Sequence, residues 1–262
     1  MNSGNLTLKA KSQLLISEKT PWGNIEVWQK DRVRDLYIQD KSSIQSQLNL
    51  DQKEKLLLKN TRAMMSFLLF QPNPESALLL GLGGGGIIHF LCHWFPKLKI
   101  TAVDISEQML HIAKKYFEIS NTPQISLKTA DAFTYLTQTK KKNLSVILVD
   151  IHDGKRTPDF LYNPYFMDQC FQALSPKGVL VINAIVNNDQ DFLNIMTALR
   201  THFTGVSLCM PLKQHQNVLL FAFKSRDELN IDQLHPQTTR LQQKYDIEFD
   251  QFVKSIVKVD AK

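Results

Sequence analysis

The sequence predicts an α/β fold: a mostly parallel sheet with helices on both faces, closed by a C-terminal antiparallel hairpin and preceded by a small antiparallel β unit. Three observations predict it. From Ser76 to Phe203, apolar runs of strand length alternate with segments of helical period, the pattern of right-handed βαβ units. The last two strand-like runs, Val206 to Leu212 and Val218 to Phe223, are separated only by Lys213 to Asn217, too little chain for a crossover helix. Between Gln13 and Gln39, apolar and polar residues alternate at period two around turn signals.

In order, Leu14-Leu15-Ile16 leads to the turn Pro21-Trp22-Gly23, and Ile25-Glu26-Val27-Trp28 and Arg34-Asp35-Leu36-Tyr37-Ile38 follow as strands. A unit of this size is too small to stand alone and must dock on the remainder. Residues 51 to 70 read as a helix, because Leu56, Leu57, Met64, Met65, Leu68 and Leu69 recur at helical spacing until Pro72-Asn73-Pro74. That stripe reads as core packing. Ala77 to Leu82 is a continuous apolar run, as in a strand buried on both faces. A helix over Gly86 to Phe95, a strand over Ile100 to Ile105 and a helix over Glu107 to Phe117 come next. Strands at Ile125 to Ala130 and Val146 to Ile151 precede a long loop, a helix at Tyr165 to Ala173, a strand at Val179 to Ile185 and a helix at Phe192 to Phe203. A parallel sheet ended by an antiparallel hairpin is the layout of the methyltransferase-type Rossmann fold; nicotinamide-binding domains keep the final strand parallel. The expected organisation is a β unit over 1–50, a Rossmann-like nucleotide-binding domain with a leading helix over 51–224, and a polar tail over 225–262 with one or two amphipathic helices.

Composition narrows the class. Hydrophobic residues make up 43% and charged residues 21%, an ordinary globular balance. No apolar run reaches the roughly 18 residues a bilayer span needs, and Met1 to Gln13 has no signal-peptide pattern. These features point to a cytoplasmic protein without a membrane partner. The net charge of +6 comes from dispersed lysines; the tightest run, Lys140 to Lys142, has no interleaved aromatics, which argues against nucleic acid. Cys92, Cys170 and Cys209 are widely spaced within apolar stretches and read as buried thiols rather than disulfides or zinc ligands.

The chemistry gathers at strand ends. Gly81-Leu82-Gly83-Gly84-Gly85-Gly86 joins the first core strand to its helix, so Gly81, Gly83 and Gly85 are candidate nucleotide contacts, with the helix amides facing a negative group. Asp104 lies about 20 residues beyond the glycines, where an acid accepts hydrogen bonds from ribose hydroxyls. Asp131 closes the third core strand, positioned both to face an adenine amino group and to cap the next helix. Asp150 and Asp153 fall at the end of the fourth strand in Val149-Asp150-Ile151-His152-Asp153-Gly154. Two carboxylates at that edge can orient a cationic nucleophile, accept its proton or balance a sulfonium; Asp-Gly is also a turn signal. His89 and His93 have metal-ligand spacing, but position 90 is Phe and no third ligand is evident, so no metal is expected. No nucleophile elbow surrounds any Ser or Cys.

From about Leu14 to Phe223 the chain resembles the polyamine aminopropyltransferase (spermidine synthase-like) family. The resemblance is carried by the N-terminal β unit, Gln45-Ser46 before a helix, Gln71-Pro72-Asn73-Pro74, the glycine loop, Val103-Asp104-Ile105, Ala130-Asp131-Ala132, Val149-Asp150-Ile151-His152-Asp153 and the run Leu174 to Asn183. It implies nucleotide contacts at Asp104, Asp131 and Gln45, and a catalytic carboxylate at Asp150 that prepares an amine for in-line attack beside a sulfonium. Asp153 would help hold the amine. The chain departs from the family twice. Gly84 stands where the family usually carries an Asp that contacts the aminopropyl amine, and Lys59-Asn60-Thr61 falls on its Tyr-His-Glu box. The expected activity is transfer of an aminopropyl or methyl group from decarboxylated S-adenosylmethionine or S-adenosylmethionine to a small-molecule acceptor such as an amine. The alternatives are an inactive nucleotide-binding or scaffold homologue and a methyltransferase unrelated to polyamines. The N-terminal strands offer edges for a homodimer.

Overall fold

A computed structural model describes residues 11–138, 143–152, 156–213, 215–225 and 228–259; the lysine run at 140–142 lies outside them. The β unit is a four-stranded antiparallel sheet, β1 (Gln13–Thr20), β2 (Gly23–Lys30), β3 (Val33–Ile38) and β4 (Ser46–Asn49). Three of these strands were expected; β4 was not, since Gln45-Ser46 reads as the lead into a helix. Ile25, Val27, Leu36 and Leu48 face Met109, Ile112 and Phe117 in a core of their own, which is how this small sheet docks.

The expected helix over 51 to 70 is mostly absent. Only α1 (Lys59–Met64) is α-helical, and a 3-10 turn over Met65–Leu69 follows it. Arg62 occupies carbonyls that such a helix would use. The carbonyls of Leu56 and Leu57 accept hydrogen bonds from the Arg62 guanidinium at 3.3 and 2.6 Å, and the N-cap, Leu58, offers no capping side chain. The apolar stripe is core even so: Met64, Met65 and Leu68 are fully buried.

The main sheet contains β5 (Ser76–Leu80), β6 (Lys99–Asp104), β7 (Ile125–Thr129), β8 (Leu144–Val149), β9 (Leu174–Ile185), β10 (Ser207–Pro211), β11 (Asn217–Phe223) and β12 (Val257–Val259). Their order is β12-β10-β11-β9-β8-β5-β6-β7. Pairing is parallel from β9 through β7, and the β10–β11 hairpin adds antiparallel to β9, as the short Lys213–Asn217 link requires. The helices of the main domain are α2 (Gly86–Trp94), α3 (Glu107–Tyr116), α4 (Ala132–Gln138), α5 (Pro164–Ala173) and α6 (Asp189–Arg200). In the tail, α7 (His235–Tyr245) and α8 (Phe249–Val253) are the amphipathic helices expected, whereas β12 was not foreseen.

Period-two alternation explains the continuous apolar strands. On β5, Ala77 and Leu79 join the core under α1, α2, α7 and α8, while Leu78 and Leu80 join the opposite core under α4, α5 and α6. Of the cysteines, Cys170 and Cys209 are buried and all three are free, but Cys92 is only half-buried. Burial still pushes the Cys92 thiol up to about 11, leaving little thiolate at neutral pH.

Candidate functional site

The chain runs β5, β6, β7 outward in one direction and then returns to place β8 on the other side of β5. That reversal makes a switch point between β5 and β8, where the loops diverge and leave a crevice at the carboxyl edge. Gly81 follows β5 and Asp150 follows β8. A Cβ on Gly81 would come within 2.2 Å of the Asp150 carbonyl oxygen, and Gly81 has φ of +91°. Only glycine lets the two strand ends meet so closely. Gly83 and Gly85 continue the turn with φ of +49° and +73°, and Gly85 caps α2 in the left-handed region.

Asp104 ends β6. Its Oδ2 accepts from the Leu82 amide at 2.9 Å and its Oδ1 from the Ser106 amide at 3.0 Å, so it fixes the glycine loop before any ligand arrives. A carboxylate has about four lone-pair positions, which leaves acceptor capacity on both oxygens. Burial pushes its proton affinity up, against the opposing amides of Leu82, Ser106 and Gly83. The amide of Ala130 donates to the Asp104 carbonyl at 3.0 Å, bringing Asp131 alongside. Asp131 Oδ1 accepts from the Thr134 amide at 2.8 Å, capping α4, and Oδ2 takes no hydrogen bond from the described residues. Ile105, next to Asp104 in the chain, is 50% exposed and presents an apolar surface. Sequence reasoning passed over Ile105, which looks like the last residue of a strand.

The N-terminal sheet reaches the loop through β4. Gln45 is half-buried, with its amide on the Leu36 carbonyl at 2.8 Å. The side chain of this strand that reaches the glycines is that of Ser46, whose Oγ accepts from the Gly84 amide at 2.8 Å. A Cβ on Gly84 would meet the Phe117 ring at 2.8 Å and Ser46 Cβ at 3.0 Å. Position 84 therefore has no room for a larger side chain unless those neighbours move.

At the other end of the crevice, Asp150 Oδ1 accepts from Asn183 Nδ2 at 2.8 Å and lies 3.3 Å from His152 Nε2. Burial pushes its proton affinity up, but the hydrogen bond and charge of His152 and the Asn183 amide outweigh that and hold it below the usual aspartate range. Asp153 lies outside the described residues. Lys59 opens α1, and its ammonium donates to the Lys213 carbonyl in the β10–β11 turn at 3.3 Å. His89 is committed elsewhere, its Nε2 2.7 Å from the Phe117 carbonyl. Among the described residues, no three His, Cys, Asp or Glu side chains are grouped to hold a metal, and no helix is long and apolar enough to cross a membrane.

The edge thus reads, strand by strand, Asn183, Asp150, Gly81, Asp104, Asp131. The family described as the spermine/spermidine synthase domain matches residues 60–233, more than half of the chain. The chain belongs to that family. It is 31% identical over 234 residues to a polyamine aminopropyltransferase of Chromobacterium violaceum, covering 88% of each chain. Among solved structures, a probable spermidine synthase from Corynebacterium glutamicum superposes with a TM-score of 0.75 at 16% identity, covering 94% of this chain and 90% of that one. Human methyltransferase-like protein 13, solved in complex with SAH, superposes with a TM-score of 0.61 at 21% identity, covering 78% and 96%. At these identities the two structures establish the shared Rossmann-like fold.

Proposed function

We propose that this family member transfers an alkyl group, aminopropyl or methyl, from a sulfonium nucleoside to the nitrogen of a small amine. The observation that carries the reading is the junction of Gly81 and Asp150 at the switch point, which makes the glycine loop and the strand-end acid one site. The residues suit the nucleoside: Asp104 offers acceptors to ribose hydroxyls, Asp131 Oδ2 to an exocyclic amine, and Ile105 an apolar face. S-adenosylmethionine and its decarboxylated form supply an activated carbon beside a sulfonium, with a neutral thioether as leaving group. The chain supplies position and one base. Oδ2 of Asp150 takes the proton that the acceptor nitrogen sheds, and the nitrogen lone pair forms the new bond to carbon as the carbon–sulfur bond breaks.

Gly84 favours the methyl branch. The acid usual at that position in the family is absent, and Phe117 and Ser46 fill the space it would need. An aminopropyl ammonium finds no counter-charge there. Product analysis separates the branches. Incubation with each donor and a panel of diamines and primary amines, followed by mass spectrometry, should release S-adenosylhomocysteine in methyl transfer and methylthioadenosine in aminopropyl transfer. Release of neither with any amine, from protein that binds the nucleoside, would leave a binding homologue in place of a transferase.

A further inference from the structure

Asn183 has no solvent exposure and sits within β9 between the fully buried Ile182 and Ala184. A buried amide is tolerated only when its hydrogen bonds are met, so its partners identify its purpose. Its Oδ1 accepts from Asn217 Nδ2 at 2.9 Å. Its Nδ2 donates to Asp150 Oδ1 at 2.8 Å and lies 3.2 Å from His152 Nε2. The amide orientations follow from the network: an ionised carboxylate only accepts, so Asn183 turns its NH2 toward Asp150 and its carbonyl toward Asn217. Side chains from β9, from β11 and from the turn after β8 are thus committed, directly or in series, to one carboxylate oxygen. Oδ2 takes no hydrogen bond from the described residues.

We propose that Asn217, Asn183 and His152 are positioning residues of the transfer site, saturating Oδ1 of Asp150 and presenting Oδ2 alone to the acceptor. This rests on the reading of Asp150 as the acceptor-facing acid and adds the residues that set its direction and charge. Two donors on Oδ1 favour the anion, and Asn217 acts through Asn183 by polarising its amide. The Nδ1 atom of His152 is buried without a partner among the described residues. Among the described residues, the charged group that bears on Asp150 is His152, from its own segment. From β9 and β11 come the two neutral amides.

The test is carbon-detected carboxyl NMR of the labelled full chain without donor, with the Asp150 signal assigned from Asp150→Asn. Asp150 should titrate below an ordinary aspartate in the unmutated protein. Its midpoint should move up in both His152→Ala and Asn217→Ala and move back in His152→Gln, whose amide can still donate. An unmoved Asp150 midpoint in both alanine variants, with native folds by circular dichroism, would overturn the proposal. Calorimetry with S-adenosylmethionine on the same samples keeps the two readings apart. Absent donor binding counts against the transferase reading; an unmoved titration counts against the positioning role.

Discussion

At the end of β6 the Asp104 carboxylate is held by backbone amides of Leu82 and Ser106, whereas at the end of β8 the Asp150 carboxylate is held by side chains of Asn183 and His152. The two acids lie on the same sheet edge, and their charge states are pushed opposite ways. At Asp104 burial wins over the amides and raises the proton affinity; at Asp150 the side chains of His152 and Asn183 win over burial and lower it. A carboxylate clamped by main chain depends only on the loop's path and changes little with neighbouring side chains. One clamped by side chains from separate strands can be retuned by single substitutions. The Asp104 end is accordingly the fixed part of this site and the Asp150 end the adjustable one.

The largest effect that would sharpen this contrast is expected from Asp104→Ala. Hydrogen bonds to a charged group contribute about 1.5–3 kcal/mol, so donor affinity should fall by about tenfold or more, read by calorimetry. Its cost in stability should be smaller. Orphaned amides cost about 1–3 kcal/mol, but a carboxylate disfavoured by burial is removed with them. Asn217→Ala, at the other end, should leave donor affinity unchanged within error.

Gly84→Ala ranks next. Its Cβ meets a fully buried Phe117 ring and Ser46, and overpacking of that kind costs about 1–3 kcal/mol, visible as a lower melting temperature. A variant as stable as the parent would break the claim that position 84 is sterically closed. Ser46→Ala should cost about 1 kcal/mol by leaving the Gly84 amide without its acceptor; chemical denaturation measures it.

The smallest effect concerns pH. Burial holds His89 below its ordinary value, against the carbonyl of Phe117. A lowered histidine contributes stability that is present above the unfolded value of about 6.5 and is lost as pH falls through the folded value. Urea melts from pH 7.5 down to 5 should show that loss, and His89→Gln should lessen it.

What could be read from the sequence follows the same division. The positions of the glycine loop, Asp104 and Asp131 are legible because each falls where a strand-length run gives way to a helix. The hairpin was legible because five residues cannot carry a crossover. Asn183 and Asn217 were not, because their meaning comes from the antiparallel register that sets Leu219 opposite Asn183 and from partners 33 and 34 residues away. Arg62 hid for a related reason. It unwinds the expected helix by binding Leu56 and Leu57 carbonyls while pairing with Glu248, 186 residues distant. Strand β4 was missed because its four residues carry one buried apolar side chain, Leu48, and its partner β3 supplies the rest of the reason to be a strand.

The most direct test of the account is calorimetry of the purified chain against S-adenosylmethionine, decarboxylated S-adenosylmethionine and methylthioadenosine, with Asp104→Ala alongside. The account predicts saturable binding of the sulfonium donors, weakened in Asp104→Ala, with S-adenosylmethionine the tighter ligand because position 84 carries no acid. No binding of any of the three, or binding indifferent to Asp104, would contradict it.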